Sequence, residues 1–133
     1  MTRPGPLDVH GDARGLVFEP LSADELAAMR NVHVVLTRPG NVRGNHYHTR
    51  GTERMVVLGP AVVRTRVEGE IQETEVPAGE AWRFTFAPGV SHAVRHAGED
   101  VGVLVAFSDH PHDPTDPDTF RDPLFTDGDL GRG

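Results

Sequence analysis

Short apolar runs separated by turn residues occupy most of the chain from Val32 onward. In the clearest run, Trp82, Phe84 and Phe86 alternate with polar residues, as expected for a half-buried strand. Many short strands at even spacing predict an all-β sandwich or a closed barrel. The predicted strands are Gly15–Pro20, Val32–Thr37, Asn45–Thr49, Met55–Leu58, Ala61–Val67, Ile71–Val76, Ala81–Ala87, His92–Arg95 and Val101–Phe107.

Two other segments depart from the strand pattern. Ser22 and Glu25 have the spacing of a capping box, which predicts one short N-terminal helix over Ala23–Met29. Residues 109–133 form an acidic, proline-rich tail that we expect to be extended and partly frayed. Because the tail also contains Phe120, Leu124 and Phe125, we expect part of it to pack back onto the barrel. The prediction is one domain, residues 1–133, with its barrel core at about residues 31–108.

Composition narrows the range of functions. The net charge of −7 argues against a nucleic-acid surface. The 13 cationic residues are all arginine and cysteine is absent, which excludes Schiff-base and P-loop lysines, thiolate nucleophiles and sulfur-ligated zinc. The N-terminus does not resemble a signal peptide, and no apolar run approaches the roughly 20 residues that span a bilayer. We therefore expect a cytoplasmic protein that contacts neither membrane nor nucleic acid.

Three histidines and one glutamate carry the strongest chemical signal. His46 and His48 are two residues apart, so they face the same side of a strand while Tyr47 faces the other. Glu53 follows a glycine-containing turn, and His92 follows Pro88-Gly89. Strands of a small barrel could direct these four side chains to one point, where they could hold a divalent metal with coordination positions left open. We expect one ion per chain, zinc first, with iron, nickel or manganese as alternatives.

The same residues carry a family resemblance. Gly40-x5-His46-x-His48-x4-Glu53-x5-Gly59 resembles the first cupin motif, one residue short before its last glycine, and Gly89-x2-His92 resembles the core of the second. In the second motif, Ala87 replaces the usual proline and His96 the usual asparagine. The resemblance implies a double-stranded β-helix, or jelly-roll, barrel in which His46, His48, Glu53 and His92 are the metal ligands.

A narrower resemblance covers roughly residues 8 to 125. The runs Arg43–His48, Pro88–His92 and Asp113–Phe120 are similar to the C-terminal cupin domain of capsular-polysaccharide-assembling proteins. Asp12-Ala13-Arg14-Gly15 is similar to the opening segment of nucleotide-sugar epimerase and ketoisomerase cupins. This resemblance implies epimerisation or isomerisation beside the keto group of a nucleotide-linked deoxy-keto sugar. Since no glycine-rich dinucleotide fingerprint is present, we expect any reduction to fall to a separate reductase.

Within that reaction, His96 is the first candidate for proton transfer, because it shares a face of the strand with His92. Arg43, Arg64 and Arg66 are candidates for binding the diphosphate. No role is assigned to His10, His33, His110 or His112. A metal-dependent dioxygenase and a non-catalytic ligand-binding sensor remain open, because fold does not fix function. We expect a homodimer, since open sheet edges tend to be covered.

Overall fold

The structure is a computed structural model and describes residues 3–126. Apart from one short helix, α1 (Ala23–Ala27), its regular elements are strands. In chain order the strands are β1 (Gly5–Pro6), β2 (His10–Asp12), β3 (Gly15–Val17), β4 (Asn31–Thr37), β5 (Val42–Tyr47), β6 (Glu53–Leu58), β7 (Ala61–Val67), β8 (Glu70–Val76), β9 (Ala81–Phe86), β10 (His92–His96), β11 (Gly102–Ser108) and β12 (Phe120–Arg121). Among residues 3–126, no helix is long and apolar enough to cross a membrane.

Most of the predicted elements are present with small shifts in their ends. The capping box is formed: the Ser22 side chain accepts from the Glu25 backbone N–H, and the Glu25 side chain accepts from the Ser22 N–H. The largest shifts are of three residues: β3 ends at Val17 instead of Pro20, and β5 begins at Val42 instead of Asn45 and passes through a bulge. The strands β1, β2 and β12 were not predicted, since each has only two or three residues and depends on a partner strand.

Two five-stranded antiparallel sheets contain most of the strands. The first has the order β1-β9-β6-β11-β4, and the second has the order β12-β5-β10-β7-β8. From β4 to β7, successive strands alternate between the two sheets, as in a jelly roll. A single apolar core draws residues from both sheets, among them Met55, Phe84 and Leu104 from the first and Val63 and Val94 from the second. The two sheets therefore face each other, and residues pointing inward at one end of this core can meet.

The tail packs on the outer face of the second sheet, as the sequence predicts. Leu124 and Phe125 are 2% and 4% exposed and form a second apolar cluster with Val62 and Ala93. The Asn45 side-chain oxygen accepts from the backbone N–H groups of Leu124 and Phe125, and its amide nitrogen donates to the Phe125 carbonyl. The tail is thereby fixed to β5.

Replacing Phe125 with alanine should lower the free energy of unfolding by about 3 kcal/mol, because a buried aromatic ring is lost and a cavity remains. Phe120→Ala is the matched control: Phe120 is 46% exposed and stacks on Tyr47, so its loss should cost about 1 kcal/mol. Urea denaturation of both variants measures the difference. Equal losses would show that the second cluster does not stabilise the fold.

Candidate functional site

Two neighbouring strands bring the imidazoles of His46, His48 and His92 together at one end of the core, with His48 directly after the last residue of β5. His92, at the start of β10, lies directly opposite His46 on β5. The ring centroids are 4.7 Å apart for His46 and His48, 4.9 Å for His46 and His92, and 5.5 Å for His48 and His92. One nitrogen from each ring lies within 4.8 Å of the others. The three rings can therefore serve one ligand together.

Glu53 completes the group from the facing sheet. Its two carboxylate oxygens lie 3.4 Å from Nε2 of His48 and 3.4 Å from Nε2 of His92. The side chain is buried at the start of β6. The structure thus brings together all four side chains that the sequence nominates as metal ligands.

A β-bulge sets the register that makes this meeting possible. His92 pairs with His46, but the next residue, Ala93, pairs with Gly44, so Asn45 is the extra residue of the bulge. Gly44 and Asn45 both have positive φ, at 93° and 58°. A Cβ on Gly44 would lie 2.7 Å from the His92 carbonyl oxygen, so only glycine fits there.

Main-chain carbonyls orient two of the rings. Nδ1 of His48 lies 2.7 Å from the Asp118 carbonyl oxygen, and Nδ1 of His92 lies 3.0 Å from that of Val90. A carbonyl only accepts hydrogen bonds, so both Nδ1 atoms carry the proton and both Nε2 atoms face Glu53. Nε2 of His92 is buried and has no hydrogen-bond partner in the described part of the chain.

Burial and mutual proximity shift the proton affinities within the cluster. Desolvation, followed by the neighbouring His92 and His48, lowers the pKa of His46 to about 4. The hydrogen bond with Glu53 raises the pKa of His48. For Glu53, burial acts to raise the pKa, but the close approach of the His48 and His92 imidazoles outweighs it and holds the pKa well below its usual range. The cluster therefore favours a carboxylate beside a positive charge.

These contacts fit a bound cation. With Nδ1 protonated, a neutral His48 or His92 presents a lone pair to Glu53, which is itself only an acceptor. Facing acceptors repel unless a proton or a metal ion lies between them. Three imidazole nitrogens and one carboxylate oxygen are ligands that suit zinc and other transition metals. His46, His48, Glu53 and His92 would hold such an ion.

A cavity of about 500 Å³ opens beside the cluster between the two sheets. Its lining combines polar residues, among them His46 and His48, with an apolar wall of Val35, Met55, Val94 and Leu104. His33 on β4 and His112 in the tail also line this cavity, although the sequence analysis gives them no role. The signal for His33 is the alternation along β4, where Asn31, His33 and Val35 share the inward face.

The three arginines proposed from the sequence to bind diphosphate lie on two different sides of the second sheet. Arg43 lines the cavity, and its guanidinium donates to the Leu36 carbonyl at 2.9 Å and to the Thr37 hydroxyl at 3.4 Å. Arg64 and Arg66 lie on the outer face of β7 beneath the tail. Arg64 donates to Glu73 and to the Leu124 carbonyl, and Arg66 forms two hydrogen bonds with Asp122. They are therefore on the opposite side of the sheet from the imidazoles, and the proposal that they bind diphosphate loses its structural basis.

His96 also lies away from the cluster. It shares a face with His92 as expected, but it is four residues further along β10, or about 13 Å at the usual rise of a strand. The ring is buried against Gly98 and Gly102, and Nε2 is bonded to the Asp100 carbonyl. From this position His96 cannot exchange a proton with a molecule held at the three imidazoles.

Comparisons with known proteins agree with this fold. A family model described as polysaccharide biosynthesis C-terminal domain matches residues 10–120. A UDP-2-acetamido-2,6-beta-L-arabino-hexul-4-ose reductase from Pseudomonas aeruginosa is 29% identical over 115 residues, which cover 84% of this chain and 30% of the reductase. The capsular polysaccharide assembling protein CapF from Staphylococcus aureus is 26% identical with a TM-score of 0.65, over 90% of this chain and 32% of CapF. This chain thus spans about a third of the length of each of these two relatives.

The fold is also shared with a sugar 3,4-ketoisomerase, QdtA from Thermoanaerobacterium thermosaccharolyticum, solved in complex with TDP. QdtA is 17% identical with a TM-score of 0.67, over 90% of this chain and 87% of QdtA, and this likeness concerns the fold alone. The fold is that of a cupin-like domain. The chain belongs to the family of polysaccharide biosynthesis C-terminal domains.

Zinc binding to the purified protein should release protons, because Glu53 raises the pKa of His48 and a protonated His48 must lose its proton to become a ligand. His46 releases none, since its pKa of about 4 leaves it neutral. Affinity should therefore fall as the pH falls. Calorimetry in two buffers of different ionisation enthalpy measures the protons released.

His48→Ala should abolish this binding, whereas His10→Ala, on the remote strand β2, should leave it unchanged. Equal zinc affinity in wild type and His48→Ala would refute the assignment of the four ligands.

Proposed function

We propose that this domain catalyses epimerisation or isomerisation at the carbon beside the keto group of a nucleotide-linked deoxy-keto sugar. The observation that carries the proposal is the cluster of three imidazoles, with the Glu53 carboxylate beside two of them, next to a cavity lined by both polar and apolar residues. The names of the relatives support the substrate class: one acts as a reductase on a UDP-linked hexul-4-ose, and a fold neighbour isomerises a keto sugar.

The reaction sets clear electrostatic requirements. A proton next to a ketone is weakly acidic, and its removal leaves negative charge that must be stabilised as it forms. A divalent cation held by His46, His48, Glu53 and His92 would supply that stabilisation as a Lewis acid, worth several kcal/mol. In this proposal the protein is metal-dependent, with zinc the expected ion.

His33 is our proposed proton-transfer residue in place of His96. It lies on β4, in the sheet facing β5, and lines the same cavity as His46 and His48. Imidazoles are the commonest proton-transfer groups in enzymes. A sugar held between the two walls would present one face to the imidazole cluster and another to His33, as removal and return of a proton require.

The remaining cavity lining suits the rest of the substrate. The apolar wall of Val35, Met55, Val94 and Leu104 excludes water and offers a surface for the methyl group of a deoxysugar. Arg43, at the edge of the same cavity, is our proposed contact for an anionic group such as the diphosphate. We further propose that a reductase consumes the product, since a reductase is among the relatives.

His33→Asn should slow solvent-deuterium exchange at the sugar carbon by about a hundredfold, because a general acid or base is removed. Exchange is followed by NMR on a nucleotide-linked 4-keto-6-deoxy sugar, and zinc content is measured alongside. His10→Asn, which alters an exposed histidine on β2, is the matched control and should be unaffected.

Undiminished exchange in His33→Asn would remove that residue from the mechanism. No exchange in the zinc-loaded wild type would refute the proposed function. Substrate-stimulated oxygen consumption with iron would favour a dioxygenase instead, and tight binding without turnover would favour a sensor.

We also propose that the chain forms a homodimer through the outer face of β4. Val32, Val34 and Leu36 alternate along this edge strand, and each is more than half exposed. In an antiparallel two-fold pairing of β4 with its copy, Val34 would lie near the axis and Val32 would approach Leu36 of the copy. The inward face of the same strand carries His33, so this pairing would also support the cavity wall.

Val34→Glu should convert the dimer to a monomer, because a charge would be buried at the axis. Ile71→Glu is the control, since Ile71 is an exposed apolar residue on β8 at the edge of the other sheet. Sedimentation velocity distinguishes the two states. A wild-type monomer, or a dimer that survives Val34→Glu but not Ile71→Glu, would contradict the proposed interface.

A further inference from the structure

We propose that Asp118 is a positioning residue that fixes the ring of His48 in the orientation and tautomer required at the site. Asp118 belongs to the tail run Asp113–Phe120, which contributes none of the four clustered side chains. The inference rests on the four-residue site proposed above, and it concerns how the chain builds that site.

The Asp118 carboxylate caps the turn that directly follows His48. It accepts from the Thr49 backbone N–H at 2.9 Å, from the Thr49 hydroxyl at 2.6 Å and from the Arg50 backbone N–H. The Arg50 guanidinium lies 3.6 Å from the same carboxylate. The Asp118 side chain is only 10% exposed, and hydrogen bonds to an ionised carboxylate are stronger than those between neutral groups.

The backbone carbonyl of Asp118 also holds the imidazole ring of His48. The Asp118 carbonyl oxygen accepts the Nδ1 proton of His48 at 2.7 Å. One residue therefore fixes both the backbone beyond His48 and the ring of His48. Since the proton is held on Nδ1, the Nε2 lone pair of the neutral ring is directed at Glu53.

Strand pairing keeps Asp118 in place from the other side. Two residues later, β12 pairs with β5, with Phe120 opposite Tyr47 and Arg121 opposite His46. The Phe120 and Tyr47 rings stack at 5.4 Å. The Asp118 carbonyl is thus set by a short strand on one side and by the carboxylate bonds on the other.

Asp116 provides a matched control two residues away. Its side chain is 67% exposed, and the contact recorded for its carboxylate is an ion pair with Arg50 at 3.1 Å. Neutralising Asp116 changes the local charge by the same amount as neutralising Asp118, but it leaves the turn after His48 and the Nδ1 bond intact.

The test combines zinc titration with nitrogen-15 NMR of the His48 ring in metal-free protein at alkaline pH, where the two neutral tautomers have different shifts. Wild type should show the Nδ1-protonated form. Asp118→Ala should give a tautomer mixture and bind zinc at least about tenfold more weakly. Asp118→Asn should keep part of the wild-type tautomer preference and zinc affinity, because its amide oxygen still accepts hydrogen bonds from the turn. Asp116→Asn should match wild type in both measurements.

An Asp118→Ala protein that keeps the wild-type tautomer and zinc affinity would overturn the inference. If that variant does not fold, Thr49→Val removes one of the bonds to the carboxylate and should give a smaller shift in the same direction; no shift would overturn the inference equally. The tautomer is read without metal, so the two proposals can fail separately. If wild type binds no zinc but Asp118→Ala still changes the His48 tautomer, the metal site is refuted and the role of Asp118 is supported.

Discussion

The pairing of β5 with β10 through the bulge at Gly44 and Asn45 is the constraint on which the site depends. Because side chains alternate along a strand, one extra residue reverses which positions face the core. The bulge places His46 opposite His92 and leaves Asn45 free to turn its side chain toward the tail. A side chain at position 44 would collide with the His92 backbone, so this geometry depends on a glycine.

A cluster of buried acceptors is costly unless something positive joins them. Here Glu53 faces two imidazoles whose Nδ1 protons are already committed to carbonyls, so the positive charge must arrive at Nε2. A proton on Nε2 of His48 would join that ring to Glu53, which explains why the pKa of His48 is raised while that of Glu53 is lowered. The buried Nε2 of His92 then still lacks a partner, and a metal ion at the centre would satisfy both rings at once.

The local features of this chain were predictable from its sequence, whereas contacts between residues far apart in the chain were not. Alternation and turn residues predicted the strands, the Ser22–Glu25 spacing predicted the helix, and motif spacing predicted the four clustered side chains. By contrast, the positions of Arg64 and Arg66 depend on where the tail lies, since Asp122 and Leu124 approach from nearly sixty residues away. His33 was missed because its strand becomes a cavity wall only when the two sheets face each other.

The tail is therefore part of the site's architecture. In the described chain, β5 and the residue directly after it carry His46 and His48, two of the four clustered side chains. Yet β5 pairs along its length only with β10, and on its other side lies the two-residue β12. Such a strand would behave as an edge and open readily. The tail holds it at two points, at Asn45 in the bulge and through Asp118 at His48. Since both anchors also fix clustered histidines or their neighbours, local opening of the tail and loss of the site geometry should be a single event.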